Sequence, residues 1–265
     1  MPKDLVRQII TVIATIVTIV LNVFSSTIFG KSVGEISRKH PVPITPANYA
    51  FSIWGLIYLG LIAFAIYQAL PAQRSNPRLR RIGYWYVLSC IGNIAWEVVW
   101  LNEQINLSIL MIGILLVALL VLYIRAHINR EHVSTAESWC VNAPFGIYLG
   151  WVTVASIVNM AVVLANVGWN GFGISPTIWT VLLLLIGTAI AVYVGLSNVD
   201  MAYLAVIIWA FTAIFFKNSG TPAIAITAAV MSVIALITIV IIALRRANIL
   251  HRIGTPVYSS AEIHQ

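Results

Sequence analysis

Charged side chains are scarce in this chain. Asp, Glu, Lys and Arg make up 9% of its 265 residues, whereas 60% of the residues are hydrophobic. An ordinary soluble domain is about 25% charged, so this chain has too few polar side chains to cover a surface that faces water. The apolar residues form continuous runs instead of an alternating pattern, which favours membrane-spanning helices over a β-barrel. The composition therefore predicts an all-α polytopic membrane protein.

Cysteines and recognisable catalytic motifs are also sparse. The only two cysteines, Cys90 and Cys140, lie in or beside apolar runs, so a disulfide framework is not expected. The sequence contains no phosphate-binding glycine loop, no nucleophile elbow and no zinc motif. The net charge of +7 comes from basic residues that stand between the apolar runs, which is typical of membrane orientation. We therefore expect no required cofactor, no metal, no catalytic residue and no nucleic-acid partner.

Eight apolar segments have the roughly 20 residues that a membrane span needs. They are residues 8–30, 47–70, 82–101, 105–126, 139–165, 177–196, 201–217 and 221–244. The first segment is longer than the apolar part of a signal peptide, so we interpret it as a retained span. With a cytoplasmic N-terminus, eight spans leave eleven Lys and Arg residues inside and four outside, as the positive-inside rule requires. We expect a multi-pass protein of the plasma membrane with both termini in the cytoplasm.

The first outer connection is rich in proline. The stretch KHPVPITP contains Pro41, Pro43 and Pro46 directly after His40. Proline fixes its own backbone angle and cannot continue a helix, so this segment is expected to be stiff. We interpret His40, Pro41, Pro43 and Pro46 as a lid loop over the outer end of the bundle.

Glu97 is an ionisable residue in the middle of an apolar segment. Residues at i, i+3, i+4 and i+7 share one face of a helix, and Asn93, Trp96, Glu97 and Trp100 have this spacing. Polar residues inside a membrane face partners or a cavity. No Lys or Arg is expected at the depth of Glu97, so we expect a neutral carboxyl that donates a hydrogen bond.

Two other spans place aromatic and amide side chains at the same predicted depth. Trp54 and Tyr58 follow at i and i+4 in the second span, and Trp151, Ala155 and Asn159 follow at i, i+4 and i+8 in the fifth. Together with the face around Glu97, they predict an aromatic pocket in the outer half of the bundle. The predicted ligand-binding residues are Trp54, Tyr58, Asn93, Trp96, Glu97, Trp100, Trp151, Ala155 and Asn159.

These motifs resemble the TspO/MBR family, the tryptophan-rich sensory proteins related to the mitochondrial translocator protein. In that family a proline-containing loop leads into a helix like FSIWGLIYLG, with Phe51, Trp54 and Tyr58 at the matching positions. Its third helix carries an Asn-x-x-Trp pattern, matched by Asn93 and Trp96. Its fifth helix is similar to PFGIYLGWVTVASIVN, which supplies Pro144, Phe145, Trp151, Ala155 and Asn159.

The resemblance covers residues 8–166 and implies the organisation of the chain. Residues 1–166 are expected to form a five-helix core of this family, 167–250 three further transmembrane helices, and 251–265 a polar cytoplasmic tail. The resemblance also implies a sensor, receptor or translocator that binds porphyrin, haem or other flat apolar molecules such as sterols, often as a homodimer.

Two alternative functions stay open at this stage. The first is a proton-coupled secondary transporter in which Glu97 is the group that takes up and releases the proton. The second is a membrane enzyme that modifies tetrapyrroles. In every case the expected partners are the lipid bilayer and a small apolar or tetrapyrrole molecule.

Overall fold

The computed structural model describes the backbone of residues 2–254 and the side chains of residues 3–246. This part of the chain consists of helices and their connections. The helices are α1 (Pro2–Phe29), α2 (Val33–Lys39), α3 (Ile53–Ala69), α4 (Pro77–Ile82), α5 (Trp85–Leu101), α6 (Ile105–Arg125), α7 (Thr135–Glu137), α8 (Ala143–Asn166), α9 (Pro176–Asn198), α10 (Met201–Lys217) and α11 (Pro222–Gly254). Of the predicted polar tail, residues 255–265 lie outside the described residues.

Six helices are long and apolar enough to cross a membrane. They are α1, α3, α6, α8, α9 and α11, counted within the described residues. The other two predicted spans correspond to α5 and α10, which are apolar but have 17 residues each. At 1.5 Å per residue such a helix is about 26 Å long, slightly less than a hydrocarbon core of about 30 Å. The all-helical membrane fold is confirmed in this form, and the count of eight spans stays a prediction.

Several helices begin at residues whose side chains satisfy free backbone N–H groups. Ser32 and Glu35 form a capping box at the start of α2, and Asn76 caps α4 just before Pro77. Asp200 accepts a hydrogen bond from the Tyr203 N–H and so caps α10. Side-chain oxygens at these positions replace water as partners for the first turn of the helix.

The helix α8 lies at the centre of the bundle and packs against α3, α6 and α10. A π-helical turn, Ser138–Asn142, precedes it and widens the helix just before Pro144. In an ordinary α-helical turn the proline ring would clash with the backbone carbonyl four residues before it. Gly146 and Gly150 bring α10 close, because a Cβ on either glycine would lie about 3 Å or less from atoms of α10 or its Asp200 cap. The small residues of GIYLG thus serve close helix packing.

Charged side chains collect at the two ends of the bundle. At one end Arg78 is buried, donates to Glu137 Oε1 at 2.9 Å and to the Ala126 carbonyl at 2.6 Å, and also bonds Asn142. At the other end Lys31 and Lys39 each lie 2.8 Å from Glu103 Oε1. These two ammonium groups lower the pKa of the Glu103 carboxyl to about 2. The segregation leaves the middle of the helices mainly to apolar and neutral polar side chains, with Glu97 of α5 as an exception.

Candidate functional site

A cavity lined by aromatic side chains lies beneath the first connection. Most of the predicted ligand-binding residues surround it, together with α2 and two residues of α6. The predicted residues in its wall are Trp54, Trp96, Trp100, Trp151, Ala155 and Asn159, and Pro46 of the lid loop joins them. The structure therefore brings together side chains from α3, α5 and α8 that are far apart in sequence.

The tryptophans of the cavity form two ordered groups. Trp96 and Trp100 stack with ring centroids 5.6 Å apart and ring planes inclined by 20°. Trp151 meets Phe51 edge-on at 5.8 Å and Trp54 edge-on at 6.5 Å. Both arrangements are the favoured ones for aromatic pairs. They surround the cavity with flat π surfaces and ring edges.

Several polar groups in the wall already have partners within the protein. Trp96 Nε1 donates to Asn159 Oδ1 at 2.8 Å, and Asn159 Nδ2 donates to Ser108 Oγ at 2.7 Å. Trp100 Nε1 donates to the Val33 carbonyl of α2 at 3.3 Å. A ligand in this cavity would therefore contact mainly aromatic and aliphatic surface.

The cavity has a volume of about 40 Å³. A volume of this size holds about one or a few water molecules, whereas sites for drug-sized ligands have roughly 300–1,000 Å³. The lining residues thus have the chemistry of an apolar binding site in a closed arrangement. A tetrapyrrole or sterol fits only after the surrounding side chains or the covering segment have moved.

The covering segment is partly helical. Val33 and Ser37 of α2 and Pro46 of the lid loop lie directly over the cavity. Pro43 instead lines a neighbouring groove, while His40 is half-buried and Pro41 is exposed. The stiff proline stretch was predicted from the sequence, but the helix before it was not.

The lid loop is fastened to α10. The Ala47 N–H donates to the Ala213 carbonyl at 3.2 Å, and Asn218 Nδ2 donates to the Pro43 carbonyl at 3.0 Å. Trp209 Nε1 donates to the carbonyl of Ala50, at the start of α3, at 3.0 Å. The lid over the predicted core is thus held by one of the three helices predicted to be additional.

Three predicted site residues lie behind the cavity wall and contact α1. Tyr58 donates to Asn22 Oδ1 at 2.7 Å, and Asn22 Nδ2 donates to Asn93 Oδ1 at 3.0 Å. The Glu97 carboxyl is buried beside the Ser25 hydroxyl and near Tyr58. Among the described side chains, no Lys or Arg forms an ion pair with Glu97. These residues form a polar network between α1, α3 and α5.

The contribution of α1 to this network was not found from the sequence. Its buried or half-buried inner face carries a polar residue at every third or fourth position, namely Gln8, Thr11, Thr15, Thr18, Asn22 and Ser25. The spacing is a legible signal, because residues three and four apart share a helix face. It indicates that α1 presents a polar side to its neighbours in the bundle, with the Thr15 and Tyr86 hydroxyls 2.7 Å apart as a further contact.

Comparison with known proteins agrees with the resemblance found in the motifs. No curated protein and no solved structure matches the chain. A family model described as TSPO-like protein matches residues 8–241. The match continues past residue 166 and includes α9, α10 and most of α11, so it does not confirm that these helices are additions to the family's core. Because the match covers most of the sequence, the chain belongs to the family of TSPO-like proteins.

Proposed function

We propose that this membrane protein binds porphyrin-like or other flat apolar molecules, as a sensor or translocator, in the cavity between α3, α5 and α8. The observation that carries the proposal is the meeting of Trp54, Trp96, Trp100 and Trp151 around one apolar cavity. A flat ring system gains affinity by stacking on such faces and by removing its apolar surface from water. The family membership agrees with this function.

Binding requires the cavity to open, and the lid loop has a feature that favours movement. Thr45 is buried and, within the described residues, its hydroxyl has no hydrogen-bond partner. An open loop that exposes Thr45 to water would give this hydroxyl a hydrogen-bond partner.

Titration of the purified protein with protoporphyrin IX, followed by porphyrin absorbance, tests this function. Trp96→Ala and Trp151→Ala should each weaken binding by about 1–2 kcal/mol, since each removes a stacking face. Trp139→Ala is the matched control, because Trp139 is 72% exposed and is not among the residues that line the cavity. Unchanged affinity in both cavity variants would show that protoporphyrin does not bind in this cavity.

A second function is favoured by the polar network behind the cavity. We propose proton-coupled transport as the alternative, because Glu97 is buried among neutral polar groups and not paired with a described Lys or Arg. Burying such a carboxyl inside a membrane costs free energy, so its presence indicates a functional role. Proton transfer is a common role for such residues. Ser25, which lies beside Glu97, donates to the Asn22 carbonyl and so joins Glu97 to this network, outside the residues that line the cavity.

Proton flux into liposomes that contain the protein, measured with an internal pH dye and a protoporphyrin gradient, tests this alternative. Glu97→Gln keeps the size and a hydrogen-bonding amide, so folding should survive while ligand-driven flux is lost. Glu35→Gln is the control, because Glu35 is exposed on α2. Equal flux in wild type and Glu97→Gln excludes a proton-carrying role of Glu97.

A further inference from the structure

A large apolar groove lies on the outside of the bundle, between α8, α9 and the lid loop. Its volume is about 690 Å³, and Met160, Leu164 and Leu183 are among the side chains that line it. Met160 is 47% exposed, so the groove opens to the surroundings of the helices. In a membrane those surroundings are lipid chains.

A small gap joins this groove to the aromatic cavity. Val154 and Val158 of α8 line both the cavity and the gap. Thr153, Ile157 and Leu183 line both the gap and the groove. Three spaces therefore adjoin one another. The side chains that they share on α8 and α9 are aliphatic except for Thr153, whose hydroxyl bonds the Leu149 carbonyl and Tyr203.

The gap is kept open on the α9 side by a residue without a side chain. A Cβ on Gly187 would lie 3.4 Å from Phe211 Cζ and 3.6 Å from Ile157 Cδ1. These are ordinary contact distances, so a larger side chain at this position would fill the gap. The direct way from water is closed, in contrast, by the hydrogen bonds that fasten the lid loop to α10.

Aromatic rings surround one end of the groove. Trp169 and Trp179 line it with ring centroids 5.2 Å apart, and Phe172, 79% exposed, meets Trp169 edge-on at 5.3 Å. Flat ring systems dissolved in the bilayer would be retained by such faces before they move inward.

We infer that flat apolar ligands reach the aromatic cavity sideways from the bilayer, through the groove between α8 and α9. This inference rests on the proposed function and gives α9 and α10 separate tasks in it. α9 forms one side of the access route, while α10 holds the lid loop closed against water. The ligand class is apolar and flat because the route is lined mainly by aliphatic and aromatic side chains.

Thiol labelling in liposomes tests the route without any porphyrin. Ala155→Cys places the only thiol in the cavity wall once Cys90 and Cys140 are replaced by alanine. Two reagents are compared, an uncharged cyclohexyl maleimide that dissolves in the bilayer and a maleimide that carries a sulfonate. The uncharged reagent should react faster, since it enters from the lipid.

Leu183→Trp, at the junction of gap and groove, should slow the uncharged reagent by about tenfold, which equals about 1.4 kcal/mol of added barrier. Leu182→Trp is the matched control, because Leu182 is its neighbour on α9 and is 37% exposed outside these spaces. Gly187→Val blocks the gap itself and provides a second variant if Leu183→Trp fails to fold.

Two results would overturn the inference. One is a sulfonated reagent that reacts as fast as the uncharged one. The other is an unchanged rate of the uncharged reagent in both blocking variants. A wild-type protein that binds no protoporphyrin would refute the proposed function, yet the thiol rates would still decide the access route.

Discussion

Trp96 Nε1 lies 2.8 Å from Asn159 Oδ1, and this hydrogen bond joins α5 to α8 in the wall of the aromatic cavity. The amide nitrogen of Asn159 in turn donates a hydrogen bond to Ser108 Oγ of α6 at 2.7 Å. One amide side chain thus holds three helices and sets the plane of the Trp96 ring. Its role within the closed protein is to orient an aromatic face.

Asn159→Ala should therefore destabilise the protein. The indole N–H of Trp96 would remain buried without a partner, which costs about 1–3 kcal/mol. Denaturation of the detergent-solubilised protein with SDS measures the free energy of unfolding. Asn166→Ala serves as control, because Asn166 bonds Asn106 in an exposed position at the end of the same helix. An equal loss of unfolding free energy in the two variants would show that the buried hydrogen bond contributes no more to stability than the exposed one.

The sequence predicted the long apolar helices better than the segments that connect them. The predicted span 201–217 coincides with α10, and 105–126 differs from α6 by one residue. Long apolar runs determine such helices locally. The helix α2 was not predicted, although Ser32 and Glu35 form a capping box at its start. The prolines that follow it led us to interpret the whole connection as a loop.

The site was predictable in part for a geometric reason. Successive residues on a helix are separated by 100° around its axis. Trp96 and Trp100 point to the cavity, whereas Asn93 and Glu97 point to α1, so adjacent residues of one polar stripe meet different neighbours. The periodicity of the sequence identifies the stripe. Which of its residues face the cavity and which face α1 depends on how α1 packs.

Gly146→Ala should weaken the packing of α8 against α10. The added Cβ would lie 2.6 and 2.8 Å from the carboxylate oxygens of Asp200, which are fixed by Tyr123 and by the cap of α10. Alanine normally stabilises a helix by roughly 0.5–1 kcal/mol relative to glycine. Gly55→Ala, at an exposed position of α3 with open space around it, should show this gain. SDS denaturation should therefore move in opposite directions for the two variants.

Acid should loosen the contact between the covering segment and the turn after α5. Lys31 and Lys39 lower the pKa of Glu103 from 4.5 to about 2. A lowered carboxyl pKa stabilises the folded state above pH 4.5, and this stabilisation disappears as the pH falls toward 2. Glu103→Gln should reduce the change of the unfolding midpoint across this window. The same reduction should occur for wild type at about 1 M salt, because exposed ion pairs are screened.

The two charged ends of the bundle predict opposite sides of the membrane. Ser75 lies beside Arg74 and Asn76 at the end with Arg78, and Ser219 follows α10 at the end with the lid loop. In intact cells a membrane-impermeant maleimide should label Ser219→Cys but not Ser75→Cys, which should react only after permeabilisation. Each variant is built after Cys90 and Cys140 are replaced. Labelling of both positions from the same side would contradict the eight-span topology.

Release of the lid loop from α10 should open the cavity to water. Asn218→Ala removes the bond to the Pro43 carbonyl, and Trp209→Phe removes the bond to the Ala50 carbonyl while keeping an aromatic ring beside Tyr49. Ser37→Cys reports on the opening, because Ser37 is buried and lines the cavity. A sulfonated maleimide should modify this thiol about tenfold faster in the double variant, which equals about 1.4 kcal/mol, the scale of one or two lost hydrogen bonds.

The control for this release is Asn198→Ala, since Asn198 bonds the Val194 carbonyl of its own helix at the far end of α9. It should leave the rate unchanged. If the double variant also reacts at the wild-type rate, the loop is held by its three prolines and the Ala47–Ala213 backbone bond instead of the side chains of α10. A faster reaction would show that a helix beyond residue 166 controls access to the cavity from water, which no motif of the first five spans predicts.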